Sequence, residues 1–230
     1  MASSRTESVS LWLLVLAACA VATAVVHREF FDRPTPRRAV DASRPPEFMD
    51  DWRQILSAGI VVGSPMAKVH IVEFADLECP ACRLFQEDLH AARAQFGDDV
   101  AVVFVHYPLP QHRFARPAAR AAECANDQGQ FGVFQDIIFL KQDSLGLKTW
   151  ASYADEARVP DLRRFAQCAS DTTQVARIEA GVALGKKLGV PGTPTVMVNG
   201  WRFWNPPDRS ELLRTVAALR DGKALPLRAK

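Results

Sequence analysis

The hydrophobic pattern of this chain changes rhythm three times, and each rhythm predicts a different kind of element. From Val9 to Val26 the sequence VSLWLLVLAACAVATAVV carries no charge and shows no polar face. A helix of that length covers about 27 Å, near the hydrocarbon thickness of a bilayer. Residues 1–27 are therefore expected to form a signal anchor or transmembrane segment, with residues 9–26 in the membrane. Two other readings compete: a cleavable signal ending at the small residues Ala22–Ala24, and a lipoprotein signal around Cys19. The apolar run continues past Cys19, which favours the anchor. Residues 28–50 lose the periodicity and hold Pro34, Pro36, Pro45 and Pro46 among charges, as expected of a semi-extended, Pro-rich linker.

The body then alternates between strand and helix rhythms. Asp51 to Ala58 reads as a short helix and AGIVVGSP as a brief extended piece ending in a turn. Ala67–Ala75 is short, apolar and β-branched, the signature of a buried strand. A helix follows from about Pro80 to Phe96, with Leu84, Phe85, Leu89, Ala92 and Phe96 at helical spacing. Asp99–Pro108 is a second strand, apolar on both faces, so the three elements predict a βαβ unit with a parallel strand pair. From Arg116 to about Leu188 the pattern is helical and alanine-rich, with breaks at NDQGQ and LGLK. Phe131, Phe134, Phe139, Trp150 and Phe165 sit at helical spacings in this block and are assigned to the core. TPTVMVNGWRFW gives two short strands about Asn199-Gly200, a strong hairpin signal. Trp201 and Trp204 on its flank are read as packing residues. Asp208 with Glu211 forms a capping box for a last helix ending before Gly222. The order is β, α, β, a helical block, ββ, α, which is an α/β fold with a helical insertion.

Composition refines this picture in two ways. With 230 residues, 48% apolar and 23% charged, the chain fits one domain with appendages. A net charge of +2 without a basic block argues against a nucleic-acid partner. Charge also bears on orientation. Arg5 stands alone before the apolar run, while Arg28, Arg33, Arg37 and Arg38 lie beyond it, an asymmetry that taken strictly would leave the body in the cytoplasm. An N-terminal signal-like segment usually carries the rest of its chain out of the cytoplasm. The body is therefore expected to be membrane-anchored and extracytoplasmic, in the periplasm or at the cell exterior.

The cysteines carry the candidate chemistry. Besides Cys19 there are four: Cys79, Cys82, Cys124 and Cys168. VEFADLECPACRLFQ places Cys79 and Cys82 one helical turn apart, directly after a buried strand. Pro80 suits the first turn of a helix, so Cys79 falls at the helix start, where unpaired amides and the macrodipole stabilise a thiolate. Cys82 lies within disulfide reach. An exposed acidic sulfur beside a shielded partner is what thiol–disulfide exchange needs. A zinc half-site is the main competitor, but no second Cys-x-x-Cys exists and His70, His106 and His112 show no ligand spacing. Glu73 lies in the strand leading to the pair and is a candidate to shuttle the proton of Cys82; the alternative is a strand-end carboxylate facing solvent. Asp76 and Glu78 read as loop carboxylates that raise the Cys79 pKa slightly. Outside the cytoplasm, Cys124 and Cys168 would tie two helices and close a loop worth about 4 kcal/mol of chain entropy; the alternative is two buried free thiols.

VEFADLECPACRLF, the helical block and GVPGTPTVMVNG together resemble the DsbA-like branch of the thioredoxin superfamily, over roughly Ile60 to Leu219. The resemblance implies a thioredoxin-like fold interrupted by a helical insertion. Its parts would be residues 51–110 with the redox pair, an insertion at 111–188, a second part at 189–222 with a cis-proline hairpin and the last helix, and a tail at 223–230. It implies that Cys79 is the nucleophile, Cys82 the resolving cysteine and Glu73 the buried acid. Pro194 would be a cis-proline facing the pair, with Thr193 before it offering its backbone to an extended substrate. No metal or cofactor is assigned. The substrates implied are cysteine-containing exported proteins, and the recycling partner a membrane quinone-linked thiol oxidase. The best-known DsbA oxidases carry His between the cysteines where this chain has Ala81, which should raise the Cys79 pKa and weaken the disulfide as an oxidant. Oxidase is the favoured direction. An extracytoplasmic thiol reductase and a membrane-tethered metal carrier using the same thiols are the alternatives.

Overall fold

The computed structural model describes residues 44–225, all within one compact unit. The expected anchor at 1–27 and the linker up to residue 43 lie outside the described residues, as do residues 226–230 of the tail. Among the described residues, no helix is long and apolar enough to cross a membrane.

Six strands form one sheet: β1 (Glu47–Phe48), β2 (Ile60–Val62), β3 (Val69–Ala75), β4 (Val100–His106), β5 (Thr195–Val198) and β6 (Trp201–Phe203), in the order β1-β6-β5-β3-β4-β2. β3 and β4 are parallel, in register from Val69↔Val100 to Ala75↔His106, as the βαβ pattern predicted. Every other pairing is antiparallel. β1 comes from the stretch read as linker, its Glu47 opposite Arg202 and its Phe48 opposite Trp201. Two residues are too few to show a strand rhythm. Asp51–Ala58 was expected to be a short helix, and Trp52–Ala58 forms a 3₁₀ helix.

The helices are α1 (Pro80–Phe96), α2 (Ala115–Asn126), α3 (Phe131–Leu140), α4 (Trp150–Glu156), α5 (Leu162–Ser170), α6 (Ala176–Lys187) and α7 (Arg209–Arg220). Strand alternation sorts the sheet residues into two layers. Val69, Ile71, Val100, Val102, Val196 and Val198 face Phe85, Leu89 and Phe96 of α1 and Leu212 and Val216 of α7. Val72, Phe74, Val103, Val105 and Met197 face the other way, toward Trp52, Ile55 and the α6 residue Leu184. Gly181 allows α6 to approach the sheet: a Cβ there would sit 2.4 Å from the His106 carbonyl oxygen. α6 falls inside the segment 111–188, yet it covers the sheet, whereas α2–α5 bring Phe131, Phe134, Phe139, Tyr153 and Phe165 into a core shared with Ile60 of β2, Phe104 of β4, Cys79 and Cys82. Trp150 is half-buried at the edge of that core.

Asn199 and Gly200 both take positive φ, 44° and 90°, and close the β5–β6 hairpin. The Asp208 side chain caps α7 by accepting from the Glu211 amide at 2.8 Å. Trp201 packs on Phe48, and Trp204 lies beneath the Arg44 and Arg202 guanidinium groups, so both tryptophans are engaged in packing.

Candidate redox site

The site sits where β3 ends and α1 begins. Ala75 closes the strand, Asp76–Glu78 turn, and Cys79 occupies the N-cap of α1 with extended backbone angles (φ −77°, ψ 119°). Pro80 takes the first helical position, where no amide is lost. The Cys79 amide donates to the Asp76 carbonyl at 3.0 Å, which tightens the turn. Cys79 and Cys82 are both free thiols.

The outer sulfur is more sheltered than expected. Cys79 is only 6% exposed and Cys82 is fully buried. The cover comes from the loop before β5. Thr193–Pro194 is a cis peptide bond, as the resemblance implied, and the Cys79 thiol donates to the Thr193 carbonyl at 3.3 Å. Thr193, Pro194 and the pair are thus brought together across more than a hundred residues of chain.

Two sulfurs one turn apart differ sharply in acidity. Cys79 is lowered to about 5, first by the hydrogen bond from the Cys82 thiol; burial opposes this, while the Thr193 side chain and the Cys82 and Ala81 amides assist it. Cys82 is pushed well above the ordinary thiol range, chiefly by burial, then by its bond to Cys79 and the nearby charges of Glu73 and Cys79. Ala81 therefore contributes its amide to the thiolate in place of a ring. Glu73 shares the strand parity of Val69 and Ile71, so it points into the α1 layer and is fully buried, not solvent-facing. Burial first, and the Cys79 charge second, push its carboxyl up to about 8, while the Cys82 thiol lowers it. Neither carboxyl oxygen has a well-aligned hydrogen-bond partner. At neutral pH Glu73 is a protonated acid beside the Cys82 sulfur.

Asp76 and Glu78 lie in the turn between β3 and α1, as expected of loop carboxylates. Asp76 is buried and accepts from the Glu78 amide (2.8 Å), the Leu109 amide (2.8 Å) and His112 Nδ1 (2.7 Å). Glu78 accepts from the Phe114 amide at 2.5 Å. Together they clamp the loop after β4 onto the cysteine turn. Gln142, in the 3₁₀ turn Gln142–Ser144 after α3, reaches the same turn from the insertion and does not stand out in the sequence. A lone glutamine more than sixty residues from its partners leaves no local pattern to find.

Cys124 and Cys168 form the expected disulfide between α2 and α5, with Cα atoms 5.8 Å apart. Among the described residues, no group of three or more His, Cys, Asp and Glu side chains could hold a metal ion.

A family model described as Thioredoxin matches residues 56–218. Residues of this chain are 34% identical over 163 positions to a Na(+)/H(+) antiporter NhaA 1 of Mycolicibacterium gilvum, covering 70% of this chain and 26% of that protein. The chain thus spans about a quarter of the length of the curated relatives it matches. Among solved structures, a thioredoxin-like oxidoreductase from Silicibacter pomeroyi superposes with a TM-score of 0.61 at 26% identity, covering 71% of this chain and 93% of its own. The oxidoreductase DsbA from Xylella fastidiosa superposes with a TM-score of 0.54 at 25% identity, covering 70% and 90%.

Proposed function

Since this chain belongs to the thioredoxin family, as a DsbA-like protein-disulfide oxidoreductase, we propose that it oxidises cysteine pairs of exported proteins through Cys79 and Cys82. In the forward direction the enzyme begins with the Cys79–Cys82 bond. A substrate thiolate attacks the Cys79 sulfur, the internal bond breaks, and the electron pair leaves on Cys82. Glu73, a protonated acid at neutral pH, supplies the proton that Cys82 takes up, since Cys82 is too basic to persist as a thiolate. The second substrate thiolate then attacks the substrate sulfur of the mixed disulfide and expels Cys79. Two electrons have passed from substrate to enzyme, the substrate holds a disulfide, and the enzyme is a dithiol. Thr193, whose carbonyl already faces Cys79, is placed to pair with the backbone of an extended substrate.

The observation that carries the direction is the acidity of Cys79. A thiol that ionises near pH 5 is a good leaving group, and its thiolate stabilises the reduced enzyme, which makes the disulfide an oxidant. The reduction potential of the pair, set against glutathione, tests this. A value clearly above about −270 mV, displaced toward about −120 mV, is expected; one near −270 mV would make the protein a reductase. Oxidation of a reduced peptide should disappear in Cys79→Ser.

The setting is part of the same proposal. Residues 9–26 anchor the chain, the body faces the extracytoplasmic space, and a membrane quinone-linked thiol oxidase reoxidises it. The Cys124–Cys168 disulfide supports an oxidising compartment, where such bonds persist. The relatives named as Na(+)/H(+) antiporters, which carry a matching stretch, support a membrane setting.

A further inference from the structure

Gln142 is buried, and its amide nitrogen donates to two carbonyls at once, Leu77 O at 2.9 Å and Cys79 O at 3.1 Å. These carbonyls bracket the turn that presents the nucleophile, and the donor comes from the helical insertion. The Gln142 turn is itself held from several sides. Arg83, one turn into α1, donates to Asp143 at 3.1 Å. The Tyr153 hydroxyl donates to the Ser144 carbonyl at 2.6 Å and bonds its hydroxyl at 2.9 Å. Lys141 pairs with Glu156 of α4. Leu145 buries its side chain in the insertion core, the same cluster that receives Cys79 and Cys82. The segment 141–145 is therefore fixed to the insertion behind it and to the cysteine turn ahead of it.

We propose that Gln142 is a positioning residue for the redox pair: by holding the Leu77 and Cys79 carbonyls it fixes the turn whose Ala81 and Cys82 amides face the Cys79 sulfur. The physical reasons are two. Leu77 lies between strand and helix, outside any ladder, and its buried carbonyl requires a donor. The Cys79 carbonyl already accepts the helical bond from the Arg83 amide at 3.2 Å; a second donor on that oxygen draws electron density away from the nucleophilic residue and restrains rotation of the next peptide. Replacing the donor frees that peptide, blurs the aim of the amides and weakens the thiolate. The Gln142 side chain thus links the insertion to the chemistry.

The proposal rests on the pair being a redox couple, so the test uses a readout that does not require turnover. Cys79 ionisation is followed by thiolate absorbance and by iodoacetamide alkylation against pH in the full chain, together with the reduction potential and thermal unfolding. Gln142→Met keeps the volume and removes the donors. It should lower the Cys79 thiolate-to-thiol ratio at pH 5 by about 5- to 10-fold, the size of one lost hydrogen bond, and shift the reduction equilibrium by the same factor. Gln142→Glu keeps the shape and presents acceptors to the carbonyls, and should shift ionisation further in the same direction. If both variants unfold at lower temperature while ionisation and potential stay within twofold of the parent, Gln142 is only structural and the proposal is overturned. Should one variant fail to fold, the other decides by the same criterion. If the parent Cys79 itself ionises near pH 9, the oxidoreductase reading fails, whereas a flat response of both variants on an acidic parent sinks the Gln142 role alone.

Discussion

Three side chains where β3 meets α1 differ steeply in acidity: an acidic Cys79, a basic Cys82 and the β3 carboxyl of Glu73, held neutral to about pH 8. Alkylation should therefore label Cys79 with a midpoint near pH 5 and leave Cys82 unlabelled up to pH 9 in the folded reduced protein; equal labelling would contradict the asymmetry. The signs of the stability effects are opposite. Glu73 has a folded pKa raised above 4.5, so its contribution is complete below pH 4.5 and is lost as pH rises through about 8. Cys79 has a folded pKa lowered from 9, so its contribution to the reduced form is complete above pH 9 and is lost as pH falls through about 5. Glu73→Gln should flatten the decline of stability between pH 4.5 and 8 in denaturant titrations, and slow substrate oxidation about 10²-fold at pH 7 in stopped-flow assays. The placement of Cys79, Cys82 and Glu73 is legible in the sequence because it follows from local pattern: the start of a helix, one turn in, and the strand that leads to it. Asp76 is not, since its partners Leu109 and His112 arrive from another loop and nothing near Asp76 in sequence announces them.

At the scale of elements, the strands β3 and β4 and the helix α1 can be read almost to the residue, since burial on both faces and a 3.6-residue rhythm leave little ambiguity. The helical block is legible as helix but not as packing. Only the fold shows that α6 returns to the sheet, through the close approach at Gly181. Gly181→Leu should drive α6 off β4 and destabilise the protein by about 3 kcal/mol or more, read as a fall in the denaturant midpoint. α2 and α5 are joined by the Cys124–Cys168 bridge across 44 residues. Cys124→Ala with Cys168→Ala should remove about 4 kcal/mol of unfolding free energy, while peptide oxidation by the folded fraction persists, because on the proposed mechanism the exchange runs through Cys79 and Cys82 alone.

For the molecule as a whole, the order of elements identifies the architecture, and β1 is what escapes it: a two-residue strand at the sheet edge, donated by a segment rich in proline. A chain shortened to begin at Glu47 keeps that strand and one beginning at Asp51 lacks it, so the second should unfold at a lower temperature by calorimetry. On the proposed setting, the full chain should sediment with membranes after lysis and be shaved by protease added outside the cell or to opened periplasm. A body protected on the cytoplasmic side would reverse the orientation.

The bridge between α2 and α5 has an implication for how the protein comes into being. Every newborn copy arrives with that pair unjoined and must surrender two hydrogens before it matures. On the proposed activity, older copies are competent to collect them, so each generation of the catalyst can be a client of the last, and a cell starved of oxidant would accumulate copies that are both idle and unfinished.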